Sequence, residues 1–239
     1  MPVVTIARPI ATNAEAIAAA VAARLGMAVY DDRLIGMAAR LGHVPADEMA
    51  TLDERGRGML TRPSDLWQLV PMPPINPDVP DIIADAYAPT GPVRARGVGL
   101  DAPRFWAVEA YAALMARTIA EVASSDDAVI VGRAGHVVAG GGASVLRVLC
   151  IAPEATRVER VANGQGVAEY EARTRVRQSD WDRSGFHRQF FSAQWLDPAS
   201  YDLVINTGLL SVAQSVDTIV AAASRLVGRP SPTLSIANH

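Results

Sequence analysis

Val3-Val4-Thr5-Ile6-Ala7 is a short run of β-branched and aliphatic residues. It stands directly before the turn Arg8-Pro9-Ile10-Ala11-Thr12-Asn13-Ala14 and the helical stretch at 15–25 (EAIAAAVAARL). A buried strand, a tight turn and a helix N-terminus form the layout that cradles phosphate on backbone N–H groups. Such a turn ordinarily takes glycines, which let the backbone approach the ligand, and a lysine for the β- and γ-phosphates. This turn holds no glycine, and the chain holds no lysine: all 22 of its basic residues are arginines. An alanine at positive φ costs about 1–2 kcal/mol, while asparagine visits that region more readily, so Asn13 suits one left-handed position. The methyl groups of Ala11 and Ala14 are expected to obstruct phosphate. Glu15, in the first helical turn, favours the helix dipole but repels a triphosphate. A plain helix start capped by Thr12 or Asn13 accounts for the same residues without a ligand.

Working outward, 239 residues with 50% hydrophobic content suffice for one buried domain plus an insertion. A net charge of −3 gives no general attraction to nucleic acid or to an anionic membrane. No apolar run is long enough to span a bilayer, and the N-terminal stretch lacks the basic cluster of a signal peptide, so a cytoplasmic protein is expected. The single cysteine, Cys150, lies in an apolar run and reads as a core residue.

Five segments, at 3–7, 27–30, 128–131, 144–151 and 202–206, read as strands with little alternation, as parallel strands covered on both faces do. Helical patterns fall between them at 15–25, 32–41, 47–58, 105–123, 153–162, 167–178 and 211–227, with Gly26 placed to end the first. The order predicts a three-layer α/β fold with a five-stranded, mainly parallel sheet and helices on both faces. One domain over 1–227 is expected, with an insertion between strands at 32–127, a lid region at 154–195 and a flexible tail at 228–239. Eight of the 16 prolines fall between Pro63 and Pro92, which makes residues 61–100 either an insertion folded over the sheet or a partly mobile flap. Gly140-Gly141-Gly142 precedes a strand rather than a helix and reads as a connector. His43, His136, His187 and His239 form no metal-ligand spacing.

Several motifs come in a fixed order. They are Thr5-Ile6-Ala7-Arg8, Ile17-Ala18, Leu25-Gly26, Tyr30-Asp31-Asp32-Arg33-Leu34-Ile35, Asp53-Glu54 and Ala128-Val129-Ile130-Val131-Gly132-Arg133-Ala134. After them stand Ala152-Pro153 with Arg157 and Arg160, Asp180 with Arg183, Trp195, Asp197-Pro198 and Tyr201-Asp202-Leu203-Val204-Ile205-Asn206-Thr207. In this order the chain resembles the cytidylate kinase-like family of P-loop nucleoside monophosphate kinases, over about residues 3–222. The departure is in the loop, where a Gly-Ser-Gly-Gly-Arg/Lys turn of the family is matched by Ala11-Thr12-Asn13-Ala14-Glu15.

The resemblance implies a P-loop kinase-like fold with an Arg-rich helical lid, and phosphoryl transfer from ATP to a small acceptor such as a pyrimidine nucleoside monophosphate. The degenerate loop implies reduced or lost activity. The alternative is a catalytically inactive nucleotide-binding or interaction protein that keeps the fold. ATP and Mg²⁺ are implied if the chain is active, with Arg8, Ala11, Thr12, Asn13, Ala14, Arg157 and Arg160 on the donor and the Thr12 hydroxyl on the metal. Tyr30, Asp31 and Arg33, at the end of the second strand, are implied on the acceptor side.

Arg133, at the mouth of the third strand, is placed to point into the central crevice, and the resemblance gives it the acceptor phosphate. Its guanidinium suits bidentate contact with phosphate. Arg177, Asp180 and Arg183 are implied as lid residues, with the arginines on the transferring group. Plain helix ion pairs with Glu169 and Glu171 account equally for Arg173 and Arg175. The resemblance implies a nucleotide or other small phosphorylated molecule as partner, with the oligomeric state open and a homodimer among the options.

Overall fold

The computed structural model describes residues 2–51, 108–142 and 144–225. The Pro-rich stretch 61–100 and the tail 228–239 lie outside them. Five strands, β1 (Val3–Ala7), β2 (Ala28–Tyr30), β3 (Ala128–Val131), β4 (Val145–Ile151) and β5 (Leu203–Asn206), form one sheet in the order β2-β3-β1-β4-β5. Every pairing is parallel, with Val4 opposite Val129 on one side and Leu146 on the other.

Alternate residues of the strands enter separate cores. Val4, Ile6, Val129, Val131, Leu146, Val148 and Ile205 face α1 (Ala14–Leu25) and α8 (Val212–Ser224), where Ile17, Val21, Val216 and Ile219 cover them. Val3, Ala128 and Ile130 face the other way, onto Leu34 of α2 (Asp32–Gly42), Tyr111, Met115 and Ile119 of α4 (Val108–Ser125), and Phe186 and Phe190 of α7 (Glu169–Phe191). The apolar runs lack alternation because both faces are buried.

Short α3 (Ala46–Thr51) packs on α2, α5 (Gly135–Val138) follows β3, and α6 (Glu154–Gln165) packs along α7. Gly26 ends α1 in the left-handed region at φ 68°, the conformation expected of it. Residues 135–138, for which no helix was expected, form a helical turn, and α7 continues 13 residues beyond the expected end at 178. The extension contains Ser179, Asp180, Asp182, Ser184 and Gly185, weak helix formers, but Phe186, His187 and Phe190 are buried in the body of the domain.

Cys150 is fully buried in the α1/α8 core, and burial pushes its thiol up to about 12. The native protein is therefore expected to leave a thiol reagent unreacted at pH 8 and to release one equivalent on unfolding. Reaction of the folded protein within minutes would contradict that burial.

Candidate functional site

All strands run parallel, so their carboxyl ends lie on one edge of the sheet, where ligands collect in open α/β folds. The segments emerging there are 8–13, Asp31-Asp32, Gly132–Ala134, Ala152-Pro153 and Thr207. The expected loop thus sits beside the expected acceptor corner, because β1 and β3 are neighbours.

The turn after β1 has the left-handed bends of a phosphate loop without its glycines: Ala11 has φ 60° and Asn13 has φ 57°. Asn13 is the N-cap of α1, yet its side chain makes no capping hydrogen bond. Thr12 does not cap the helix either. Its hydroxyl is fully buried and donates to Pro9 O at 3.0 Å, so a Mg²⁺-ligand role asks it to leave that bond. Ala14, expected to obstruct phosphate, is completely buried in the core with Ile17 and Val21, so that expectation rests on Ala11 alone. Arg8 is buried at the base of the loop, and its Nε donates to Glu15 Oε1 at 3.0 Å. The carboxylate standing where the family carries a cation is thereby held by an arginine of the same loop.

The corner at β2 and β3 is built from opposite charges. Arg133 is fully buried, with Nη1 on Asp31 Oδ1 at 2.7 Å and Nη2 on Asp32 Oδ1 at 3.2 Å. Gly132, Arg133 and Ala134 are successive left-handed residues (φ 70°, 52° and 57°), and Arg133 and Ala134 each carry strain of about 1–2 kcal/mol. Strain of this kind collects at functional sites, held by the surrounding structure. Tyr30 and Arg33 are not brought to this pair. The Tyr30 hydroxyl donates to Asp126, just before β3, and the Arg33 guanidinium lies 4.8 Å from the centre of the Tyr30 ring. The Asp126 hydrogen bond raises the Tyr30 pKa, with burial acting in the same direction.

The arginines expected on a lid also have partners. Arg157 on α6 makes a bidentate pair with Asp180 on α7, at 2.9 and 2.7 Å. Arg177 and Arg173 meet Glu154 at the start of α6, and Arg173 and Arg175 also make i,i+4 pairs with Glu169 and Glu171. Arg183 is buried and donates to the Ser179 hydroxyl and carbonyl. Arg160 reaches the loop, donating to Ala11 O at 3.0 Å and Thr207 O at 2.7 Å.

One cluster was not legible in the sequence. His136 of α5 stacks on His187 of α7 and on Tyr201, with ring centroids 5.4 and 4.6 Å apart. The Tyr201 hydroxyl gives its hydrogen to Trp195 O, so His136 Nε2 is the donor in its 3.2 Å contact with that hydroxyl. The residues are 51 and 65 positions apart from His136, and no local periodicity links them. Beside this cluster an open cleft of about 560 Å³ lies between Gly140-Gly141, Arg147 and residues 192–200, with no residue of the loop in its lining.

Arg147 also pins β5 to β4, donating to Asp202 from its backbone N, Nε and Nη2 at 2.9–3.0 Å. These bonds hold the Asp202 carboxyl below the usual carboxylate range. A depressed carboxyl contributes stability above its unfolded pKa, and that contribution is lost as pH falls through the folded value. Asp202→Asn is expected to lower Tm at pH 7, with the gap to the native chain closing below about pH 4. A gap unchanged down to pH 2 would assign the effect to packing instead.

A family model described as the cytidylate kinase-like family matches residues 3–209. The chain belongs to that family. Among curated proteins, this cytidylate kinase-like chain is 28% identical over 120 residues to a cytidylate kinase of Methanopyrus kandleri, covering 47% of this chain and 62% of that one. It is 31% identical over 107 residues to a cytidylate kinase of Methanocorpusculum labreanum, covering 44% and 59%. A match of 37% over 106 residues to a uronate isomerase of Corynebacterium glutamicum covers 43% of this chain and 20% of that protein. The chain thus spans from a fifth to about three-fifths of the length of the curated relatives it matches.

In structure it is similar to an uncharacterized protein from Eubacterium ventriosum, with TM-score 0.59 and 17% identity over 94% of this chain and 99% of that one. That likeness speaks for the fold. The cytidylate kinase-like chain has a P-loop kinase-like α/β fold, and among its described residues no helix is long and apolar enough to cross a membrane and no cluster of ligands suits a metal ion.

Proposed function

We propose that this chain is a phosphotransferase of the cytidylate kinase type with a weakened donor loop. It takes a small phosphorylated acceptor, most simply a pyrimidine nucleoside monophosphate, at the Asp31–Arg133 corner. It holds ATP on the turn at 8–14, with Arg157, Arg177 and Arg183 as the lid cations. The observation that carries this reading is the left-handed Ala11, at φ 60°. A turn with no need of the cradle shape has no reason to keep an alanine where it costs about 1–2 kcal/mol. Turnover is low because the Ala11 methyl stands where backbone meets phosphate. In addition, Arg8, Arg133, Arg157 and Arg177 are each already engaged by a carboxylate that the ligand must displace. Asp31 orients the acceptor and takes no proton, since a phosphate oxygen is already anionic.

A second reading is a non-catalytic nucleotide-binding protein, and the buried Thr12 hydroxyl favours it. Calorimetric titration of CMP, of ATP and of ATP with Mg²⁺, together with a radiolabel transfer assay, separates the two. Binding of both nucleotides with slow transfer supports the first reading, and CMP binding without ATP binding supports the second. Binding of neither would overturn both.

A further inference from the structure

The strain at Ala11 has a specific counterweight outside the loop. The φ and ψ of residue 11 set the direction of its carbonyl, and a relaxation of Ala11 to the common right-handed or extended regions swings that oxygen away. Arg160 meets this carbonyl at 3.0 Å through Nη1, while Nη2 donates to Thr207 O at 2.7 Å. Thr207 is itself fixed to the end of β4, its backbone N donating to Ile151 O at 2.8 Å and its hydroxyl to the same oxygen at 3.2 Å. The planar fork of the guanidinium therefore spans from the rigid edge of the sheet to the loop and holds the two at one separation. Apolar contact works in the same direction. Ile10 and Ala11 pack against the cluster made by Val158 and Val161 of α6 with Ala172 and Val176 of α7.

We infer that Arg160 is a positioning residue of the donor loop: its grip on the Ala11 carbonyl keeps a glycine-free turn in the left-handed form. Arg160, expected from the resemblance to touch the nucleotide, then acts on it through the backbone of the loop. This inference rests on the proposed donor role of the loop only for its effect on ATP; the conformational claim stands in the ligand-free protein. Lysine is not equivalent, because one ammonium cannot hold the Ala11 and Thr207 carbonyls with the geometry of a fork.

The test is NMR of the full-length, isotope-labelled chain, reading the Cα and Cβ shifts and the HN–Hα coupling of residue 11. The variants are Arg160→Ala, Arg160→Gln and Ala11→Gly, with ATP titrated into each. In Arg160→Ala the signals of Ala11 are expected to leave left-handed values, its left-handed population falling about 5- to 30-fold. ATP affinity falls by a similar factor. In the Ala11→Gly background the same removal of Arg160 is expected to change ATP affinity less than twofold, since glycine reaches this region without help. Should Arg160→Ala fail to fold, Arg160→Gln, which is too short to span both carbonyls, carries the same readout. Left-handed signals retained at Ala11 in a folded Arg160 variant would overturn the inference. Absence of ATP binding in every variant, with Ala11 still responding to Arg160, would instead overturn the proposed donor role and leave the positioning role intact.

Discussion

Asp180→Ala is expected to lower the unfolding free energy by about 3–5 kcal/mol, the usual effect of stranding a buried charge by removing its partner. The Arg157 side chain is only 8% exposed, and its Nε already lacks a hydrogen-bond partner among the described residues. Asp180 supplies both oxygens that face the two terminal nitrogens, so its loss leaves the whole guanidinium buried against α7 with no carboxylate among the described residues to balance it. The pair also joins α6 to α7 across 23 residues of sequence, and its loss is expected to loosen that contact. Replacing both partners with apolar residues, as in Arg157→Met with Asp180→Leu, is expected to recover most of the stability, because no charge is then stranded. The same double variant is expected to bind ATP less tightly than the native chain if Arg157 serves the donor. Denaturant unfolding of the two variants decides the first part: a single variant as stable as the native chain would show that Arg157 finds other compensation. Titration of ATP into the refolded double variant decides the second.

Arg133→Ala is expected to cost about 3 kcal/mol of stability, toward the lower end for a broken buried pair because Asp32 remains well solvated. Asp31 is the partner at risk, since its side chain is 22% exposed and lies 2.7 Å from the guanidinium. Acceptor binding is expected to weaken by about 10- to 100-fold, the loss for a hydrogen bond to a charged group. Asp32→Asn tests the exposed half of the same cluster. Asp32 is 78% exposed and meets Arg133 at 3.2 Å, so this variant is expected to leave stability within about 0.5 kcal/mol of native. CMP affinity unchanged in a folded Arg133→Ala variant would remove Arg133 from the acceptor site while leaving its structural role.

Four arginines expected to meet phosphate each face a carboxylate of the chain. Arg8 faces Glu15, Arg133 faces Asp31, Arg157 faces Asp180 and Arg177 faces Glu154. Under the proposed function a phosphorylated ligand competes with these carboxylates of the chain itself, and its binding is expected to require their movement.

Much of the framework was legible from local pattern. The unbroken apolar runs at 3–7 and 128–131 identify strands buried on both faces, Gly26 marks the end of α1, and Cys150 falls among core residues. Asn13 was legible as a left-handed residue because its side chain tolerates that region. The second half of α7 was not, since its serines, aspartates and Gly185 argue locally against a helix and only the burial of Phe186, His187 and Phe190 holds it. Ala14 was misjudged for a related reason: which way a methyl faces depends on the docking of α1 against the sheet.

The alternation of strands and helices, the family and the set of arginines are readable from the chain, because they rest on residue type and on spacing over a few positions. Packing of the layers sets which carboxylate meets which arginine, that Tyr30 turns to Asp126 rather than to the Asp31–Arg133 pair, and that Arg160 reaches Ala11 across 149 residues. Those outcomes depend on how far apart whole layers come to rest once packed, and no short-range pattern encodes such distances.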